Sequence, residues 1–157
     1  MTYLLAIAIT LHTLSAVIWV GGMFFAHFAL RPAANHLLEP PLRLPLMSQV
    51  LGKFFPWVWV AMVVLWITGL GVIFGIYGGM AKTPIFVHIM LALAIIMSLL
   101  FVYIFFIPFP GLKKMVSQKD FKLAAQYLAT IRQLIVTNLW LGLITIIVAI
   151  AGRYIVI

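Results

Sequence analysis

The sequence predicts an all-α integral membrane protein, a four-transmembrane-helix up-down bundle with both termini outside. Three observations predict it. First, 66% of the 157 residues are hydrophobic and only 8% are charged, too little polar surface to clothe a soluble domain of this size. Second, four apolar runs, residues 3–30, 54–77, 85–107 and 134–154, each reach the roughly 20 residues that cross hydrocarbon at about 1.5 Å per residue. Strands of a membrane barrel would be shorter and would alternate apolar with polar residues. Third, the cations are one-sided. Arg31, Arg43, Lys53, Lys113, Lys114, Lys119, Lys122 and Arg132 fall in or beside the first and third connections, and only Lys82 and Arg153 fall on the other side. The positive-inside rule then places the first and third connections in the cytoplasm.

The chain reads as one domain, 1–157, with helices at about 3–33, 45–78, 84–108 and 119–155. The first helix contains "LHTLSAVIWVGGMFFAHFALRP". It has no basic leader, and its apolar run exceeds the roughly 7–15 residues of a signal core, so it is expected to stay as a helix. The connection after it carries Pro40, Pro41 and Pro45. Proline suits a first helical turn, so the second helix should start between Pro41 and Pro45. Pro56 is placed to kink it. It ends in "TGLGVIFGIYGG", where Gly71 and Gly75 have the small-xxx-small spacing that lets helices approach. "YGGMAKTP" is a tight turn into the third helix, which "PFPGLKK" ends. "SQKDFKLAAQYLATIRQ" has Ser117 and Asp120 in capping-box spacing. Its pattern runs unbroken into the fourth span, so that helix should project as a basic amphipathic stem. The short turns favour antiparallel neighbours.

Composition excludes several chemistries. There is no cysteine, hence no disulfide, thiolate nucleophile or iron–sulfur ligation. Glu39 and Asp120 are the only acids, which leaves no carboxylate pair for acid–base work and no intramembrane carboxylate relay. No phosphate-binding glycine loop is present. The net charge of +8 flanks the membrane, so anionic lipid headgroups rather than nucleic acid are the expected counterpart.

Ionisable side chains inside a membrane are functional candidates by default. His12 lies 19 residues before Arg31, and His88 lies 20 before Pro108. Their helices run the same way, so the two imidazoles share a level. If those helices are diagonal partners, His12 and His88 could be axial ligands of a haem b held in the bundle core. Small neighbours one turn on, Ser15 and Ala16 after His12 and Ala92 after His88, leave room for a porphyrin. Lys82 and Arg153 could pair with its propionates. Trp19, Phe86 and Trp140 are candidates for the ring edge. The role implied is electron transfer or quinone-linked redox chemistry, with a quinone or redox protein as partner and any catalysis that of a membrane oxidoreductase. The alternative is copper binding or copper transport, since imidazole suits copper and thioethers such as those of Met23, Met90 and Met97 suit Cu(I). Met90, two residues from His88, points about 160° away from it on a helix. A third reading is a non-catalytic membrane subunit with both histidines merely hydrogen-bonded. His27, Tyr103 and Asn138 suggest a second, structural polar layer, and His36 reads as a solvated loop residue. The surface leaves room for a homo-oligomer.

"LHTLSAVIWVGGMFF", "GKFFPWVWVAMVVLWITGLGV", "FVHIMLALAIIMSLLFVY" and "IRQLIVTNLWLGLITIIVAIAGR" together resemble the CopD-like family of bacterial membrane proteins. The shared features are a histidine followed by Trp-x-Gly-Gly, Thr-Gly in the second helix, a histidine opening the third, and Asn-Leu-x-Leu-Gly in the fourth. The resemblance implies a multi-pass protein of the bacterial inner membrane and a link with copper resistance and uptake. The first helix is also similar to that of HemJ-type protoporphyrinogen oxidases. That resemblance implies haem b on His12. The group has a lysine where this chain has Met90, so the oxidase activity is not implied.

Overall fold

The computed structural model describes residues 2–155, and no strand occurs among them. Helix α1 (Thr2–Phe25) passes through a π-helical turn (Ala26–Leu30) into α2 (Arg31–Leu37). The remaining helices are α3 (Pro40–Gly75), α4 (Ile85–Phe106), α5 (Pro108–Ser117) and α6 (Phe121–Tyr154). A short 3₁₀ turn, Met80–Lys82, sits between α3 and α4. Four stretches are long and apolar enough to cross a membrane: Tyr3–Leu37, Pro40–Gly75, Ile85–Ser117 and Phe121–Tyr154.

The connections are more helical than the sequence suggests. The first helix continues past residue 33 to Leu37. The π turn lies directly before Pro32, which lacks an N–H and whose ring would crowd an ordinary α-turn. Helix α3 begins at Pro40, ahead of the expected start, and runs on through Pro45 and Pro56. "PFPGLKK" is no simple stop; it forms α5, with proline in the first turn. Ser117 closes α5 by donating to the Lys114 carbonyl at 2.7 Å. The α6 N-cap is therefore Asp120 alone, whose Oδ1 accepts the Leu123 N–H at 3.0 Å. The turn between α3 and α4 needs left-handed backbone, and Gly78 (φ 73°) and Gly79 (φ 115°) supply it.

At about 1.5 Å per residue, the 36 residues of α3 span about 54 Å, well beyond a hydrocarbon core of about 30 Å. The surplus lies at the cation-rich end. Aromatic residues cluster toward the two ends of the spans, as interfacial aromatics do. On α3 and the turn after it, exposed Trp57 and half-buried Tyr77 are 20 residues apart, about 30 Å of helix. Tyr3 and Tyr154, exposed by 86% and 79%, share the Tyr77 end. Tyr103, half exposed, belongs with Trp57 at the other end. Between the belts the outer surface is apolar, as lipid requires: Ile7, Val17, Ile67, Leu99 and Ile147 are among the exposed side chains.

Inside, α1 packs along α3 and α4 along α6, with α5 laid against the basic half of α6. The two pairs close on each other through an aromatic layer near the Trp57 end of the spans. Phe55 meets Phe101 at 5.5 Å and Phe109 at 4.8 Å between ring centroids, edge to face. Trp59 meets Phe101 at 5.2 Å, and Trp19 reaches the same ring at 6.0 Å. Close approaches elsewhere use glycine. A Cβ on Gly142 would come within 2.8 Å of Val20 and 3.2 Å of Met97, and one on Gly22 would enter the Phe54 ring. Gly71 and Gly75, by contrast, face open surface and receive no helix.

Candidate functional site

The bundle encloses a cavity of about 300 Å³ on the Lys82 side of the aromatic layer. All four spans line it, α1 with His12, Ala16 and Trp19, α3 with Trp66 and Gly69, α4 with Met90 and Met97, and α6 with Gly142 and Thr145. The walls are mostly apolar, with a few polar groups converging on them, the usual make-up of a ligand site.

His12 is the most constrained of these polar groups. Its half-buried ring sits against Thr68 and Gly69 of α3. Nδ1 lies 2.7 Å from Thr68 Oγ1. Thr68 Oγ1 itself lies 2.6 Å from the Val64 carbonyl, one turn back. A carbonyl cannot donate, so the single hydroxyl proton goes to Val64. The hydroxyl oxygen must then accept from His12, which places the imidazole proton on Nδ1 and leaves the Nε2 lone pair free. A histidine whose other nitrogen is held in this way is oriented for metal ligation. Gly69 completes the seat: a Cβ there would lie 3.4 Å from His12 Cε1. The Thr-Gly pair of the second span is thus one half of the His12 site.

The α4 face turned to the cavity carries Val87, Met90, Leu91, Ala94, Met97 and Ser98. His88 is on another face. Its ring lies 3.2 Å from the Pro84 carbonyl through Nδ1, which therefore donates, and it does not line the cavity. Ala92, one turn on, is exposed, as are Ile95 and Leu99 of the same stripe. The structure consequently does not bring His88 across from His12. The match in level holds along the axis, but the angle around the helix puts Met90 on the cavity wall and half-buried His88 on another face. Ala16 and Trp19 are at the cavity; Ala92 is not. Lys82 and Arg153 are both exposed and neither lines it. Phe86 packs beneath Gly152 instead of edging a ring, and Trp140 is 56% exposed.

The expected inner polar layer does not form. Asn138 is 1% exposed and donates to the Met97 carbonyl at 3.3 Å, while its Oδ1 has no partner among the described residues. Tyr103 faces outward at the lipid boundary. His27 stands edge-on to Phe28 at 4.7 Å and lines a separate basic cavity. His36 is exposed, on α2 rather than in a loop.

Among the described residues no three His, Cys, Asp or Glu side chains gather. A metal held at His12 must therefore complete its shell with sulfur, hydroxyl or amide donors. The soft donors on the cavity wall are Met90 and Met97. The Met97 sulfur has the Thr145 hydroxyl 4.0 Å away, but that proton goes to the Leu141 carbonyl at 2.8 Å, so the thioether lone pairs stay free.

A family model described as CopD, copper resistance protein D, matches residues 48–151. The matched segment contains Thr68, Gly69, Met90, Met97, Asn138 and Gly142; His12 precedes it. No curated protein and no solved structure matches the chain.

Proposed function

Because the chain belongs to the CopD family, a match that covers about two thirds of its length, we propose that this multi-pass membrane protein binds Cu(I) within the bundle as a step in copper passage across the membrane. The observation that carries the reading is the cavity with His12, Met90 and Met97 on its wall and the His12 Nε2 lone pair free. Imidazole and thioether are the donors that suit Cu(I). In this reading Thr68 orients the imidazole and Gly69 gives it space. In this reading the cation-rich end faces the cytoplasm across a bacterial inner membrane, and the copper cavity lies in the half away from it. Copper is the cargo, so one site of moderate affinity suffices.

The test is Cu(I) competition binding on protein purified without a histidine tag and in reducing buffer. The expected result is about one Cu(I) per chain, with His12→Ala or the pair Met90→Leu and Met97→Leu weakening it about 10–100-fold. Binding that none of these changes alters would overturn the site. The absorption spectrum of the same sample separates copper from the haem b alternative, which needs a second axial ligand other than His88 and would give a Soret band lost in His12→Ala.

A further inference from the structure

A second cavity, of about 190 Å³, opens at the cation-rich end. Its wall holds His27, Arg31 and Asn35 from the first helix, Arg43 from α3 and Arg132 from α6. Three arginines, each half-buried as a residue, line one small space from three helices. Neither of the two acids of the chain lines it. Asp120 is engaged at the α6 N-cap. Like charges that line one cavity repel, and partial burial removes some of the water that would screen them. Such a cluster persists when an anion occupies it.

The local backbone supports the same conclusion. The π turn Ala26–Leu30 contains His27 and leads directly into Arg31. Single π turns inside α-helices are found mostly at functional sites. The depth also fits. Arg132 is 22 residues along α6 from the boundary residue Tyr154, and His27 is 24 from Tyr3, about 33 and 36 Å of helix. That is just beyond the hydrocarbon core of about 30 Å, where lipid phosphates lie.

We propose that this cavity is a phosphate-binding site, with Arg31, Arg43 and Arg132 as the anion clamp and Asn35 as an additional donor, and that its occupant is the phosphodiester headgroup of an anionic phospholipid. Arginine forks match phosphate oxygens in pairs, and basic pockets between transmembrane helices bind anionic headgroups. A soluble phosphate offers the same oxygens, so the experiment separates the two sources.

The full chain is placed in nanodiscs of phosphatidylcholine alone, of phosphatidylcholine with phosphatidylglycerol, or of phosphatidylcholine with added inorganic phosphate, and its thermal midpoint is measured. Phosphatidylglycerol raises the midpoint of the wild type. Arg132→Gln and Arg43→Gln lose that rise, and in phosphatidylcholine alone they melt higher than the wild type because repulsion is relieved. Arg132→Lys, which keeps the charge and the fold but not the fork, keeps only part of the rise. Lys113→Gln with Lys114→Gln, outside the cavity, keeps all of it. A rise with inorganic phosphate but none with phosphatidylglycerol assigns the same site to a soluble phosphate. If no anion raises the midpoint, or if the lysine pair loses the rise as fully as the arginine variants, the proposal is overturned.

Discussion

Thr68 shows how one hydroxyl sets the chemistry of a histidine on another helix. Its proton is committed to Val64, so it can only accept from His12, and the imidazole has one tautomer and one orientation. Thr68→Val keeps the shape and removes the acceptor. Under the copper reading it lowers Cu(I) affinity about tenfold or more, in line with other losses of a ligand's supporting hydrogen bond, while the melting midpoint stays close to the wild type. Competition binding and a melting curve on the same preparation check both halves. His12 was legible in the sequence because an imidazole in an apolar run has few reasons to be there. Its seat was half legible: the Thr-Gly pair stands out in the second span, but nothing in a linear sequence says which helix it meets. The place of His88 around its helix is not legible for a related reason. Residue counting gives depth along a helix, whereas facing depends on how each helix is rotated against its neighbours. The opposed directions of His88 and Met90 were fixed by their spacing; which of the two faces inward was decided by packing.

At the scale of the helix, the tightest constraint is where α6 meets α1 and α4. Gly142 lets Val20 and Met97 close on the α6 backbone, and Asn138, one turn earlier, ties α6 to the Met97 carbonyl. The Asn-Leu-x-Leu-Gly segment is thus a joint between helices as well as a family mark. Gly142→Leu would place a branched side chain into packed neighbours and should cost about 1–3 kcal/mol, the usual penalty for overfilling a core. Gly71→Leu, at open surface, should be close to neutral. Thermal melts of both variants in the same lipid give the contrast. The span positions were readable because hydrocarbon thickness fixes their length. The π turn and α5 were not. Both are settled by prolines that admit more than one local solution, and contacts with α3 and α6 choose among them.

At the scale of the whole molecule, aromatic residues cluster toward both ends of the spans, about 20 residues apart on α3, and the helices continue beyond one of these clusters. The membrane-buried part carries the His12 cavity. The basic half carries the arginine cavity, which belongs to headgroup depth. Between them lie Phe55, Trp59, Phe101 and Phe109, with the buried Met23 and Met62 at the same depth. The two cavities therefore have no common lining residue. Bundle architecture and the separation of apolar from basic regions follow from composition and charge. The partition of the interior into two compartments depends on side-chain contacts that no sequence pattern announces.

That aromatic layer has an electrical consequence. If the two cavities admit water and the aromatic layer between them does not, most of a membrane potential falls across that layer. A monovalent cation crossing it therefore gains or loses up to about 2.3 kcal/mol per 100 mV. If Cu(I) passes from the His12 cavity to the basic side, uptake into proteoliposomes should be current-carrying. It should speed up with an inside-negative potential set by a potassium gradient and valinomycin, and slow when the potential is reversed. Uptake indifferent to voltage would mean that the charge is compensated within the bundle, by a counter-moving proton or anion.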